Sequence, residues 1–165
     1  MHSYRFDNRS PEEFARDIKA RTMEERAIFL LWLDFVEHDT GHRPSYKDTG
    51  CGQTGDVLED HEVSSDPDFY VDGYGLVEVK FSKPMLKKFF HLKSSQVRQY
   101  CKKDTTILMV RGTDSQNPLF TMLKPNALKE ITKDCKEINW QGFGGKLSYR
   151  IPVDRFVWRS FKHAV

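Results

Sequence analysis

Two carboxylates and an ammonium group stand close together in the stretch Asp66-Pro67-Asp68-Phe69-Tyr70-Val71-Asp72-Gly73-Tyr74-Gly75-Leu76-Val77-Glu78-Val79-Lys80. It reads as a short strand, a glycine-containing turn and a second strand. Strand side chains alternate, so Glu78 and Lys80 share one face while Val77, Val79 and Phe81 point into the opposite layer. An acid and a base side by side between core-forming valines is a costly arrangement unless something there uses them.

Whether Asp68 joins that face depends on the parity of the turn. A two-residue turn leaves Asp68 and Glu78 on opposite faces. An odd loop, Asp72-Gly73-Tyr74 with a bulge at Gly75, sets Asp68 directly across from Glu78. Gly73 and Gly75 permit the odd loop, because bulge positions often need positive φ. The odd loop is the expectation, and two carboxylates about 5 Å apart would then offer hard oxygens to a divalent cation, with a lysine beside it. Asp66 and Asp72 share the parity of Asp68 and are alternative ligands, although Asp72 suits a turn.

The elements that must position this hairpin can be read along the chain. Ser10-Pro11-Glu12-Glu13 has the cap, proline and glutamate of a helix start, and Phe14 and Ile18 give that helix an apolar stripe. Thr22-Met23-Glu24-Glu25 repeats the pattern and predicts a second, more apolar helix to about His38, stopped near Gly41. Its carboxylates Glu24, Glu25 and Asp34 read first as solvated or capping groups, and Glu25 is the candidate if one of them leans toward the cation site. Residues 43–56 read as a long polar loop, and Val57 to Val63 as a weak strand.

In Ser82 to Lys93 cations interleave with aromatics, which fits either a nucleic-acid-facing segment or an amphipathic helix with snorkelling lysines. Lys83, Lys87, Lys88 and Lys93, with Arg98 beyond them, are the candidate phosphate contacts. Ser94 or Ser95 can cap a third helix that carries Gln96 and Tyr100 one turn apart on one face. Thr105 to Val110 and Leu119 to Leu123 are expected strands, and Pro125 starts an amphipathic helix. Gly142-Phe143-Gly144-Gly145 turns a hairpin, followed by strands at Lys146 to Arg150 and Phe156 to Trp158. The whole is one mixed α/β domain spanning residues 1–165.

Composition narrows the partners. The longest apolar run, Ala27 to Leu33, is too short to span a bilayer, so no membrane is expected. Three scattered cysteines with no Cys-x-x-Cys pair fit free thiols in a reducing compartment, cytoplasm or nucleus. The net charge of +2 hides an asymmetry: residues 1–78 hold 8 Lys+Arg and 18 Asp+Glu, and residues 79–165 hold 18 and 6. A cation-holding site beside a strongly basic surface suits a polyanion such as nucleic acid.

Pro67-Asp68, nine residues, then Glu78-Val79-Lys80 resembles the motif of the PD-(D/E)XK nuclease superfamily. That restriction-endonuclease-like core runs αβββαβ, and the order here is similar over about residues 23–112, with an extra N-terminal helix and C-terminal α/β elements. Gln96-Val97-Arg98-Gln99-Tyr100 is similar to the Gln-x-x-x-Tyr motif that some members carry on the following helix. Those relatives often add an iron–sulfur cluster, which the cysteine spacing here does not support.

The resemblance implies that Asp68, Glu78 and the Val79 carbonyl hold Mg²⁺ or Mn²⁺. It implies that Lys80 positions or deprotonates water, that Gln96 orients Lys80 or a metal-bound water, and that Tyr100 contacts the nucleic-acid backbone. The implied activity is hydrolysis of phosphodiester bonds in double-stranded or branched DNA, with a homodimer attractive for cutting both strands. The alternatives are a non-catalytic nucleic-acid-binding or assembly module with the same fold, and an RNA-cleaving enzyme with the same metal chemistry.

Overall fold

A computed structural model describes residues 10–50 and 67–162. The expected strand from Val57 to Val63, Cys51 and the alternative ligand Asp66 lie outside the described residues. The elements are α1 (Pro11–Thr40), β1 (Tyr46–Asp48), β2 (Phe69–Val71), β3 (Gly75–Ser82), β4 (Phe89–Lys93), α2 (Ser94–Lys102), β5 (Thr106–Arg111), β6 (Leu119–Leu123), α3 (Pro125–Thr132), β7 (Glu137–Trp140), β8 (Lys146–Pro152) and β9 (Arg159–Ser160).

The two helices expected before residue 41 are one. α1 opens on the Ser10 capping box, in which the Glu13 amide donates to Ser10 Oγ at 3.1 Å and the Ser10 amide donates to Glu13 Oε2 at 2.8 Å. It closes at Gly41, φ 73°, whose amide donates to the Glu37 carbonyl. Between them Thr22 does not cap: its hydroxyl donates back to the Ile18 carbonyl at 3.0 Å. Inside a continuing helix the amides that a cap would satisfy already have partners, so the same letters read differently. The extra N-terminal helix is therefore the first part of α1.

The architecture is mixed α/β around a mixed six-stranded sheet, ordered β1-β2-β3-β5-β6-β9. β3 and β5 run parallel and the other neighbours are antiparallel. A second, antiparallel sheet is ordered β4-β8-β7. Four sequence expectations change here. The polar loop expected over residues 43–56 contains β1, which extends the sheet by pairing with β2. The Ser82 to Lys93 segment is not helical, because Phe90 and Leu92 alternate into the core and pair β4 with β8. Ser94 is the first residue of α2, preceded by Lys93 with no side-chain cap. Phe156 to Trp158 is not a strand: a 3-10 turn at Val153–Arg155 precedes it, and β9 begins at Arg159.

Each face of the central sheet has its own core. On one face Phe29, Trp32, Leu33 and Val36 of α1 pack with Phe69, Val71, Val77, Val79, Leu108, Val110 and Phe120. Phe29 stacks on Phe69 with ring centroids 3.8 Å apart. On the other face Ile107, Met109 and Leu123 pack with Val97 and Tyr100 of α2, Leu128 of α3, and Phe90, Leu92 and Ile151 of the second sheet. Burying each such side chain contributes roughly 1.5–3 kcal/mol, and β3 enters the first core through Val77 and Val79.

Among the described residues no helix is long and apolar enough to cross a membrane. Cys101 and Cys135 are free thiols.

Candidate active site and adjoining groove

The β2–β3 turn is odd. Asp72, Gly73 and Tyr74 form the loop, Gly73 and Gly75 have φ of 82° and 76°, and the Tyr74 amide donates to the Val71 carbonyl. The register pairs Phe69 with Val77, Tyr70 with Leu76 and Val71 with Gly75. One step further along the same register sets Asp68 across from Glu78. Asp72 is committed to the turn, since its carboxylate accepts from the Ser45 hydroxyl and its amide donates to the Ser45 carbonyl.

Parity also decides which layer the charged groups meet. Val77 and Val79 belong to the α1 core, whereas Glu78 and Lys80 are paired in register with Ile107 and Met109, which belong to the α2 core. Glu78 and Lys80 thus lie on the α2 side of the sheet, as the alternation requires.

Each acidic group is tied down. Asp68 Oδ2 accepts from the Val79 amide at 2.8 Å, and the Asp68 carbonyl accepts from the Thr49 and Gly50 amides just after β1. Glu78, only 8% exposed, accepts at Oε1 from Lys80 Nζ and from the Tyr100 hydroxyl, the latter at 3.0 Å. Lys80 Nζ also lies 5.9 Å from the centre of the Tyr100 ring. Glu25, on α1, accepts from Arg21 Nε at 3.1 Å.

The carboxylates repel one another. Burial, then the charges of Glu78 and Glu25, push the Asp68 carboxyl up to about 7, against the Val79 amide and Lys80, which favour its ionised form. Burial raises Glu25 as well, although Arg21 and Lys80 oppose it. Tyr100 is raised by burial and by Glu78, which keeps its hydroxyl a neutral donor. These acids do not form a tight all-protein cage: among the described residues no group of three or more His, Cys, Asp or Glu side chains is placed to hold a metal ion. A converging acidic pair with a third acid in electrostatic reach does fit an ion that binds through one or two carboxylates and otherwise through water and substrate phosphate, as Mg²⁺ does.

Beside Lys80 runs a groove of about 510 Å³. Arg21, Lys80, Lys87 and Lys93 bring positive charge to it, Gln96 lines it one turn before Tyr100, and Phe81, Phe90, His91, Trp140 and Phe143 supply rings. Gln96, Lys80, Lys87 and Lys93 are thus brought together as the sequence suggests. Tyr100 is not free to touch a nucleic-acid backbone, because it is buried under Glu78. Lys83 lies in a neighbouring cleft, 3.1 Å from Glu24, and Arg98 pairs with Glu137 at 3.7 Å, so neither lines the groove. Lys88 is exposed and also outside it.

Arg21, Trp140 and Phe143 were not foreseen as groove residues, whereas His91 belongs to the Ser82 to Lys93 segment, one reading of which faced nucleic acid. Of the three, Arg21, four residues before Glu25 on one helix, left a local signal.

Comparison with protein-family models, with curated proteins and with solved structures finds no match.

Proposed function

We propose that this chain is a divalent-metal-dependent DNA endonuclease with a restriction-endonuclease-like core, hydrolysing phosphodiester bonds of double-stranded or branched DNA. The observation that carries the reading is the pairing of Asp68 with Glu78 across an odd loop, with Lys80 on the same face and the groove opening beside it. The order of elements in the central sheet and its flanking helices, α1-β1-β2-β3-α2-β5, supports it too, β4 having left for the second sheet.

Asp68, Glu78 and the Val79 carbonyl would hold Mg²⁺ or Mn²⁺, with Glu25 adding negative charge nearby. Such an ion supplies neutralisation of the charge that develops on phosphate and makes water more acidic. The chain's own groups do the rest. The Lys80 ammonium, held by Glu78 beside the groove, would offset the negative charge on the phosphate and orient the attacking water, Tyr100 fixes the orientation of Glu78, and Gln96 together with Lys87 and Lys93 would seat the backbone.

Incubation of supercoiled plasmid with Mg²⁺ or Mn²⁺, with and without chelator, tests the reading. Metal-dependent nicking is expected, and Lys80→Ala should lower it on the order of 10²–10⁴-fold while DNA binding is retained. A fully active Lys80→Ala protein would remove the assigned role. The engagement of Glu78 by Lys80 and Tyr100 also suits a second reading, a non-catalytic nucleic-acid-binding module. That module would bind plasmid without cutting it, and an RNA substrate in the same assay distinguishes the ribonuclease variant.

A further inference from the structure

The groove beside Lys80 has more aromatic surface than phosphate contacts alone require. His91 and Trp140 stack face to face with centroids 3.7 Å apart and planes 4° from parallel. Lys93 Nζ sits 5.1 Å over the Phe143 ring and Lys87 Nζ sits 5.4 Å over Phe90. Trp140 is 37% exposed, whereas Trp32 is 2% exposed in the core. Both ring nitrogens of His91 are shielded from water and have no hydrogen-bond partner, a condition that buried polar atoms rarely sustain. Burial and the charges of Lys87 and Arg150 hold its pKa down, so the ring stays neutral with one donor and one acceptor.

A continuous duplex offers such a wall only its phosphates and sugars, because its base faces are stacked on one another. An unpaired nucleotide offers an open π face, a polar base edge and a phosphate together. The groove volume is also of the order that takes a small ligand, and too small for a duplex rod. We propose that this groove binds an unpaired nucleotide segment, the base against the Trp140, His91 and Phe143 rings and the phosphates on Lys87, Lys93 and Arg21. The inference rests on the nuclease reading and narrows it: the substrate carries a single-stranded branch or end beside the bond that is cut.

Binding is measured by fluorescence anisotropy on the full chain, in chelator so that no cutting contributes. The probes are a fully paired DNA hairpin, the same hairpin with a short unpaired thymidine tail, and the hairpin with a uridine ribonucleotide tail. The thymidine tail should tighten binding about tenfold or more, the gain expected of base–aromatic stacking, and Phe143→Ala should lose that gain. Should Phe143→Ala fold poorly, tryptophan fluorescence gives an independent readout. The tail should quench the wild-type protein, and Trp140→Phe should remove that quenching.

A gain from the uridine tail also supports the inference and places RNA among the ligands. Equal affinity for hairpins with and without a tail, or quenching that survives in Trp140→Phe, overturns it. Plasmid cutting without tail preference would sink this inference alone, and tail preference without any metal-dependent cutting would sink the nuclease reading alone.

Discussion

Asp68 holds its proton more tightly than an exposed aspartate, near 7 against an ordinary 3.8, because burial, Glu78 and Glu25 all disfavour its charge. Between those two values the folded chain binds more protons than the unfolded chain, so stability falls as pH rises through that window. The melting temperature of wild-type protein in chelator should therefore drop between about pH 4 and about pH 7 relative to Asp68→Asn, which lacks this titration. Mg²⁺ or Mn²⁺ should recover stability at the upper end, where the carboxylate is ionised and can bind the ion. A wild-type profile that parallels Asp68→Asn at every pH would contradict the assigned environment. Tyr100 makes a separate contribution. Its hydroxyl is a neutral donor to a buried carboxylate, so Tyr100→Phe should destabilise the chain by about 1.5–3 kcal/mol, read by urea unfolding.

The hairpin shows how much one element's local chemistry decides. Gly75 has φ 76°, and an added Cβ would meet nothing within 4 Å. Gly75→Ala should therefore lose about 1–2 kcal/mol from backbone conformation alone, measured by urea unfolding; a neutral substitution would mean that the loop does not need the left-handed geometry. The odd loop was legible because two glycines flank a single residue, and a turn of that kind is settled by neighbouring φ and ψ. The start and end of α1, and the start of α3 at Pro125, were legible for the same reason.

Thr22 shows the limit of that reasoning, since a capping pattern means nothing to amides already bonded within a helix. β4 shows it again. Phe90 and Leu92 alternate correctly, yet the strand exists by pairing with Ile151 and Tyr149 of β8, far along the chain. Lys83, Lys87 and Lys88 just before it, and the adjacent Phe89, hid that alternation from a local reading.

At the scale of the whole molecule, the acidic first part and basic second part of the sequence intermix among the described residues. Arg21, from the acidic part, joins Lys80, Lys87 and Lys93 at the groove, while Lys83 and Arg98 are matched by Glu24 and Glu137. Arg21, Lys87 and Lys93 on the phosphates of an unpaired strand should give binding of the tailed hairpin a log–log salt slope about 2 units steeper than a protein without those contacts, measured by titration across a salt series in chelator. A slope near zero would show that these cations do not meet phosphates.

By itself the sequence determined the mixed α/β class and the shared face of Glu78 and Lys80, and its turn glycines favoured the parity that the β2–β3 register then settles. Those follow from side-chain alternation and from turn glycines, which act over a few residues. The tertiary structure alone decided that Tyr100 serves Glu78, which lysines reach the groove, and that His91, Trp140 and Phe143 wall it. Such contacts join segments distant in the chain, and the packing of helices against the two sheets of the described residues selects among pairings that local chemistry leaves equally open.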